Sequence, residues 1–155
     1  MDWAAGGGEA PRPADLSCTR LIVSPINARI RILDLIARAQ TTLEVEAFYV
    51  SDPEVRDAIG AAKTRGAAVR VILAPTSDNA DEIAYFTGLG IPVRSPVGFF
   101  NHGKLIISDG VELVGSENFS QTSLTRNREV GALVLEPAPA QVIRQQFEAD
   151  WAAGG

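Results

Sequence analysis

The sequence predicts an α/β domain, an α/β/α sandwich built on a mixed, mainly parallel sheet. Two observations predict it. Short β-rich runs alternate with segments of helical periodicity from residue 19 to residue 151. A hairpin signal, Asp109-Gly110 between apolar runs, then interrupts the alternation.

The elements follow in order. "TRLIVSP" (19–25) reads as a short buried strand. "NARIRILDLIARAQ" (27–40) reads as a helix, with Asn27 as cap and Ile30, Leu33, Ile36 and Ala37 on one face. "TTLEVEAFYV" (41–50) is β-rich. "SDPEVRDAIGAAKTRG" (51–66) carries every helix signal: Ser51 or Asp52 to cap, Pro53 in the first turn, Val55, Ile59 and Ala62 as the buried stripe, and Gly66 to stop. "AAVRVILAP" (67–75) is the next strand. "NADEIAYFTGLG" (79–90) is a helix with Ile83 and Phe86 inward, and "IPVRS" (91–95) a short strand. Residues 102–117 read as a hairpin, 129–135 as a further strand, and "PAQVIRQQFEADW" (139–151) as a closing helix.

Composition bounds the function. A chain of 155 residues is one domain by default, and 46% hydrophobic residues suffice for a full core. The apolar runs are too short and interrupted to span a membrane, and "MDWAAGGGEAPRP" lacks the basic-then-apolar order of a signal peptide, so the chain reads as soluble or peripheral to a membrane. Cys18 stands alone, which excludes an internal disulfide and a cysteine metal cluster and leaves the compartment open. Net charge is −5, with twelve Arg and two Lys scattered singly, so no basic track marks a nucleic-acid surface. Residues 1–15 read as a flexible lead and 16–155 as the domain. "DWAAGG" occurs at 2–7 and again at 150–155 and takes in both Trp residues. Either Ala/Gly bias produces that match, or residues 2–7 are the trailing end of a preceding copy of the domain.

The polar residues of chemical interest cluster at 99–131. His102 is the only histidine, and Lys104 one of two lysines. Two hairpin registers compete. A two-residue Asp109-Gly110 loop pairs Ser108 with Val111 and puts Ser116 and Asn118 on the far side from His102. A three-residue Ser108-Asp109-Gly110 loop pairs His102 with Ser116, and His102, Lys104, Ser116 and Asn118 then share one face. The second register is expected, because it sends Leu105, Ile107, Val111 and Leu113 together to the other face. One acid–base or nucleophilic group with three donors suits an oxyanion such as phosphate. Glu129 could fix the tautomer of a histidine. With no second His or Cys in reach and the aspartates dispersed, no metal is expected. Phe99 and Phe100 read first as core packing. Glu44 and Glu46 read as an exposed sheet edge, though Glu46 could equally face the site.

These residues carry a resemblance. His102-Gly-Lys104, four residues, then Asp109 resembles the HxKxxxxD motif of the phospholipase D superfamily, and Gly115-Ser116-Glu117-Asn118 resembles its GSxN element. Glu129 in "NRE" is similar to the glutamate that follows. The likeness extends over roughly residues 15–150. It implies a metal-independent phosphodiester exchange without cofactor, through a phosphohistidine. His102 would be nucleophile or general acid, and Lys104, Ser116 and Asn118 would bind phosphate oxygens. The catalytic set would be His102, Lys104, Asp109 and Glu129, with Asp109 the more structural member at its turn.

The chain departs from the two-motif enzymes of that superfamily in holding one motif, hence half of a site. The expectation is a phosphodiesterase or phosphatidyl transferase acting on a phospholipid-like substrate, with a homodimer or a second phospholipase D-like domain supplying the other half. The alternatives are a single-motif nuclease acting as a homodimer, disfavoured by the charge, and a non-catalytic half-domain of a tandem protein.

Overall fold

The computed structural model describes residues 20–155. The lead and the first "DWAAGG" copy therefore lie outside the described residues. Seven strands form one sheet in the order β1-β7-β6-β5-β2-β3-β4. They are β1 (Leu21–Ser24), β2 (Thr42–Ala47), β3 (Ala68–Leu73), β4 (Val93–Arg94), β5 (Lys104–Ser108), β6 (Val111–Gly115) and β7 (Glu129–Val134). β2 pairs β3 and β3 pairs β4 in parallel; the other four neighbouring pairs are antiparallel. The mixed sheet is the expected one. Five of its seven strands run the same way, all but β5 and β7, yet insertion of those two makes most neighbours antiparallel.

Helices cover both faces. α1 (Ala28–Arg38), α2 (Pro53–Thr64), α3 (Ala80–Gly88) and the short α4 (Gln121–Thr125) share one core with Val45, Ile106 and Leu113. The long α5 (Pro137–Ala153) packs Phe147 onto Ile72, Leu105 and Ile107 on the other face. Arg70 pins α5 to the sheet: it joins Glu44 and Glu148 and lies 5.1 Å over the rings of both Phe147 and Trp151. The Trp of the second "DWAAGG" copy therefore has a packing role.

Helix α2 forms as its sequence dictates. Asp52 accepts from the amides of Glu54 and Val55, Pro53 opens the helix, and Val55, Ile59 and Ala62 are buried. Helix α1 is rotated from its expected face. Its buried stripe is Ala28, Ile32, Leu35 and Ile36, while Ile30 is 63% exposed. Asn27 sits at the cap position but turns back to accept from the Val23 amide at 2.7 Å, which ties the helix to β1.

The hairpin takes the register that was not expected. Ser108 pairs Val111 and Leu105 pairs Val114, around a two-residue turn with φ of +46° at Asp109 and +85° at Gly110. Both values are positive, as a type I′ turn requires. The parity argument fails because both sheet faces are dry. Ile106 and Leu113 enter one core, and Leu105 and Ile107 enter the other. Apolar alternation fixes register only where one face meets water.

Candidate active site

β2 and β6 end, and β5 and β7 begin, along the same edge of the sheet. That is the C-terminal edge of the parallel strands, where open α/β sheets place their ligands. His102, Lys104, Ser116, Asn118 and Glu129 all fall at this edge. Asp109 does not: it lies at the far end of β5, about 16 Å from Lys104 at the rise of an extended strand.

Lys104 opens β5 and is only 7% exposed, yet its ammonium reaches an exposed imidazole. Nζ is 3.1 Å from His102 Nδ1 and donates to the His102 carbonyl at 2.8 Å. Burial pushes the Lys104 pKa down, and the Glu129 carboxylate partly offsets that. A charged Lys104 can only donate, so Nδ1 then accepts and the ring proton sits on Nε2. A neutral amine reverses the roles and leaves the Nε2 lone pair free.

The ring is framed by aromatics. Phe100 stacks on His102 at 5.9 Å and Phe48 tilts against it at 5.1 Å. Phe99 and Phe100 are 40% and 77% exposed, so they do not pack in the core as expected.

Glu129 opens β7 beside this pair. It accepts from the hydroxyls of Ser116 at 3.2 Å and Ser123 at 2.5 Å and from the Asn127 amide at 3.0 Å. Ser123 is brought there by α4, whose cap is Ser120. Glu129 is thus held by Ser116, Ser123 and Asn127. Ser116 lies one residue beyond β6 and reaches Glu129 from there, not by sharing a strand face with His102. The Asn118 Oδ1 is buried without a partner.

Asp109 is a clamp. It accepts from the amides of Gln40, Thr41 and Thr42 and from the Thr41 hydroxyl, at 2.5–3.0 Å. Those bonds, led by that hydroxyl, hold its carboxyl far below the usual carboxylate range. They tie the α1–β2 connection to the tip of the hairpin.

Two further carboxyls lie at the site: Glu117, which the sequence did not single out, and Glu46, for which facing the site was one of two readings. Glu117 is fully buried, both its oxygens lack partners, and burial raises its pKa. It lies over Gly115 and Gly131: a Cβ on those glycines would fall 2.1 and 2.8 Å from Glu117 Oε2. Glycine inside two paired strands was the available signal of a close approach. Glu46 is 3% exposed on an interior strand, not at a sheet edge, and a Cβ on Gly103 would fall 2.9 Å from its Oε1. Among the described residues, no three His, Cys, Asp or Glu gather to hold a metal. No helix there is long and apolar enough to cross a membrane.

Residues 32–151 match the family described as cardiolipin synthase, phospholipase D-like domain. The chain belongs to that phospholipase D-like family. It is 26% identical over 148 residues to a mitochondrial cardiolipin hydrolase of Canis lupus familiaris, covering 93% of this chain and 58% of the relative. A mitochondrial cardiolipin hydrolase of Chlamydomonas reinhardtii is 30% identical over 129 residues, covering 78% of this chain and 56% of the relative. The chain thus spans little more than half the length of these two curated relatives. Among solved structures, Nuc of Salmonella typhimurium, a phospholipase D family member, superposes with a TM-score of 0.80 at 29% identity, covering 88% of this chain and 95% of Nuc. The phospholipase D superfamily is one of phosphodiesterases.

Proposed function

We propose that the chain is a phospholipase D-type phosphodiesterase or phosphatidyl transferase that works on phospholipid-like substrates through a phosphohistidine. The observation that carries this is the buried Lys104 held 3.1 Å from the exposed His102 ring, at the ligand edge of the sheet. With the ring proton on Nδ1, the His102 Nε2 lone pair attacks phosphorus, the N–P bond forms, the P–O bond to the leaving alcohol breaks, and an acid of a second motif protonates the leaving oxygen. Water or an alcohol then gives its proton back to that group and attacks, the N–P bond breaks, and the ring is regenerated. Lys104, Ser116 and Asn118 take phosphate oxygens, and Glu129 completes the polar wall. Asp109, at the far end of β5, holds the hairpin and takes no part in the chemistry. The relatives named as cardiolipin hydrolases support a lipid phosphodiester. The net charge of −5 counts against a nucleic acid.

One His102 cannot attack and also protonate the leaving oxygen, because those events lie on opposite sides of an in-line phosphorus. A second motif must face the first. A two-fold pair of this chain, or a second domain of a longer one, supplies it and covers the exposed Phe99 and Phe100. Turnover of a bis-aryl phosphodiester tests the reading. It should survive chelation, rise in specific activity with concentration as dimers form, and fall by several orders of magnitude in His102→Ala. Lys104→Ala should cost less while the other donors remain. Turnover that EDTA abolishes and a divalent metal restores would overturn the mechanism. Turnover independent of concentration in a strict monomer would overturn the pairing. DNA cleavage with salt-sensitive retention on single strands, and no lipid turnover, would favour the nuclease instead.

A further inference from the structure

A groove of about 570 Å³ runs along α1 and ends at the hairpin tip, at the opposite edge of the sheet from His102. That volume lies in the range of about 300–1,000 Å³ that small-molecule sites occupy. Residues 27, 30, 31, 34 and 38 share one side of α1 and form one wall; the hairpin and β7 form the other. The apolar lining is Ile30, Leu35, Val111 and Leu133, and the fold leaves Ile30 63% exposed there. The polar groups inside the groove are already satisfied by the protein. Asn27 accepts from the Val23 amide at 2.7 Å and donates to the Leu21 carbonyl at 3.2 Å. Ser108 Oγ donates to the Leu35 carbonyl at 2.9 Å. The Asp109 carboxylate takes its donors from Gln40, Thr41 and Thr42. A groove whose polar atoms are spent selects hydrocarbon, because a polar ligand would lose water there and find no partner.

One cation at the rim is not spent. Arg38 closes α1 at the hairpin end of the groove, and its exposed guanidinium has no hydrogen bond or ion pair among the described residues. A guanidinium fork takes a carboxylate through two parallel bonds. Asp34, one turn back on the same wall, disfavours the second negative charge that a phosphate monoester would bring. From Asn27 to Arg38 the helix rises about 16 Å, enough for an extended chain of about ten carbons. We infer that this groove binds a free fatty acid, its chain along Ile30, Leu35, Val111 and Leu133 and its carboxylate on Arg38. The site is separate from the chemistry at His102 and does not depend on the proposed function.

The test is a binding titration that needs no turnover. Decanoate, decyltrimethylammonium and 1-decanol, each below its micelle or solubility limit, are titrated into the labelled full chain. The methyl resonances of Ile30, Val111 and Leu133 and the ring resonance of His102 are followed by NMR. Decanoate should shift the three methyl groups saturably, leave His102 unmoved, and bind at least about tenfold more tightly than the cationic amphiphile. Ile30→Asp, which puts a carboxylate in the path of the chain, should weaken decanoate about tenfold or more. Arg38→Glu should weaken it about fivefold or more and favour the cation. Both positions are exposed, so both variants keep the fold. Linear shifts, equal affinity for the cation, full decanoate binding in Ile30→Asp, or a response at His102 alone would overturn the site. Decanol binding as tightly as decanoate, in the parent and in Arg38→Glu alike, would overturn the seat of the carboxylate on Arg38.

Discussion

Asp109→Ala separates the fold from the chemistry. The parent carboxylate takes four hydrogen bonds, from Gln40, Thr42 and both donors of Thr41. Bonds to a charged acceptor are worth about 1.5–3 kcal/mol each when buried, but these are exposed and water re-solvates the freed amides. About 0.5 kcal/mol each, or about 2 kcal/mol together, is the discounted figure. Alanine at a φ of +46° adds about 1 kcal/mol of backbone strain. A loss of about 3 kcal/mol lowers the melting temperature of a domain this size by about 9 °C. Asp109→Asn, which tolerates the left-handed conformation, should lose about half of that. The pH dependence has a definite sign. The folded pKa is depressed, so the stabilisation is full above the unfolded value of about 4 and fades as pH falls through the folded one. The gap between parent and Asp109→Asn should therefore close in acid. The assay is thermal unfolding at pH 7 and pH 3, with phosphodiester turnover measured well below the melting point. Turnover should stay within a few-fold of the parent, because the clamp is about 16 Å from Lys104. A variant that melts like the parent but has lost turnover by orders of magnitude would refute the clamp and return Asp109 to the catalytic set.

Other outcomes follow from the buried carboxyls and glycines. Glu46→Leu should be more stable than the parent at pH 8 by roughly 3 kcal/mol, because a Glu46 pKa raised to about 7 means that ionisation destabilises the fold between the unfolded value and 7. In denaturant titrations the advantage should vanish near pH 4; a pH-independent difference would contradict it. Gly115→Ala should lose about 2 kcal/mol or more, since its Cβ would fall 2.1 Å from Glu117 Oε2 and 2.8 Å from the Gly131 Cα. Unchanged melting would mean that β6 and β7 are not so closely set.

Much of this was legible in the sequence. Helix α2 declares itself through Asp52, Pro53 and the Val55-Ile59-Ala62 stripe, each a local signal that the structure uses as written. His102 and Lys104 were legible as neighbours because two residues of separation suffice to bring them together. The hairpin register was not, because β5 is buried on both sides and its alternation carries no face information. The turn itself held the better signal: Asp-Gly adopts two positive φ angles readily, and the structure uses both. Ser116 joins Glu129 from outside the ladder, so strand parity could not place it. Glu46 stood between two readings and Glu117 looked like an ordinary charge, because burial arises from what α5 and the glycine pairs place over them.

The central claim is that His102 forms a covalent bond to phosphorus. Rapid acid-free quenching of the enzyme during turnover of a phosphodiester, followed by peptide mass analysis, tests it most directly. The account predicts that the peptide holding His102 gains the mass of the phosphoryl group with its remaining alcohol. The adduct should be labile in acid, stable in base, and absent from His102→Ala. Steady turnover with no adduct on His102, or an adduct on Ser116 instead, would contradict it.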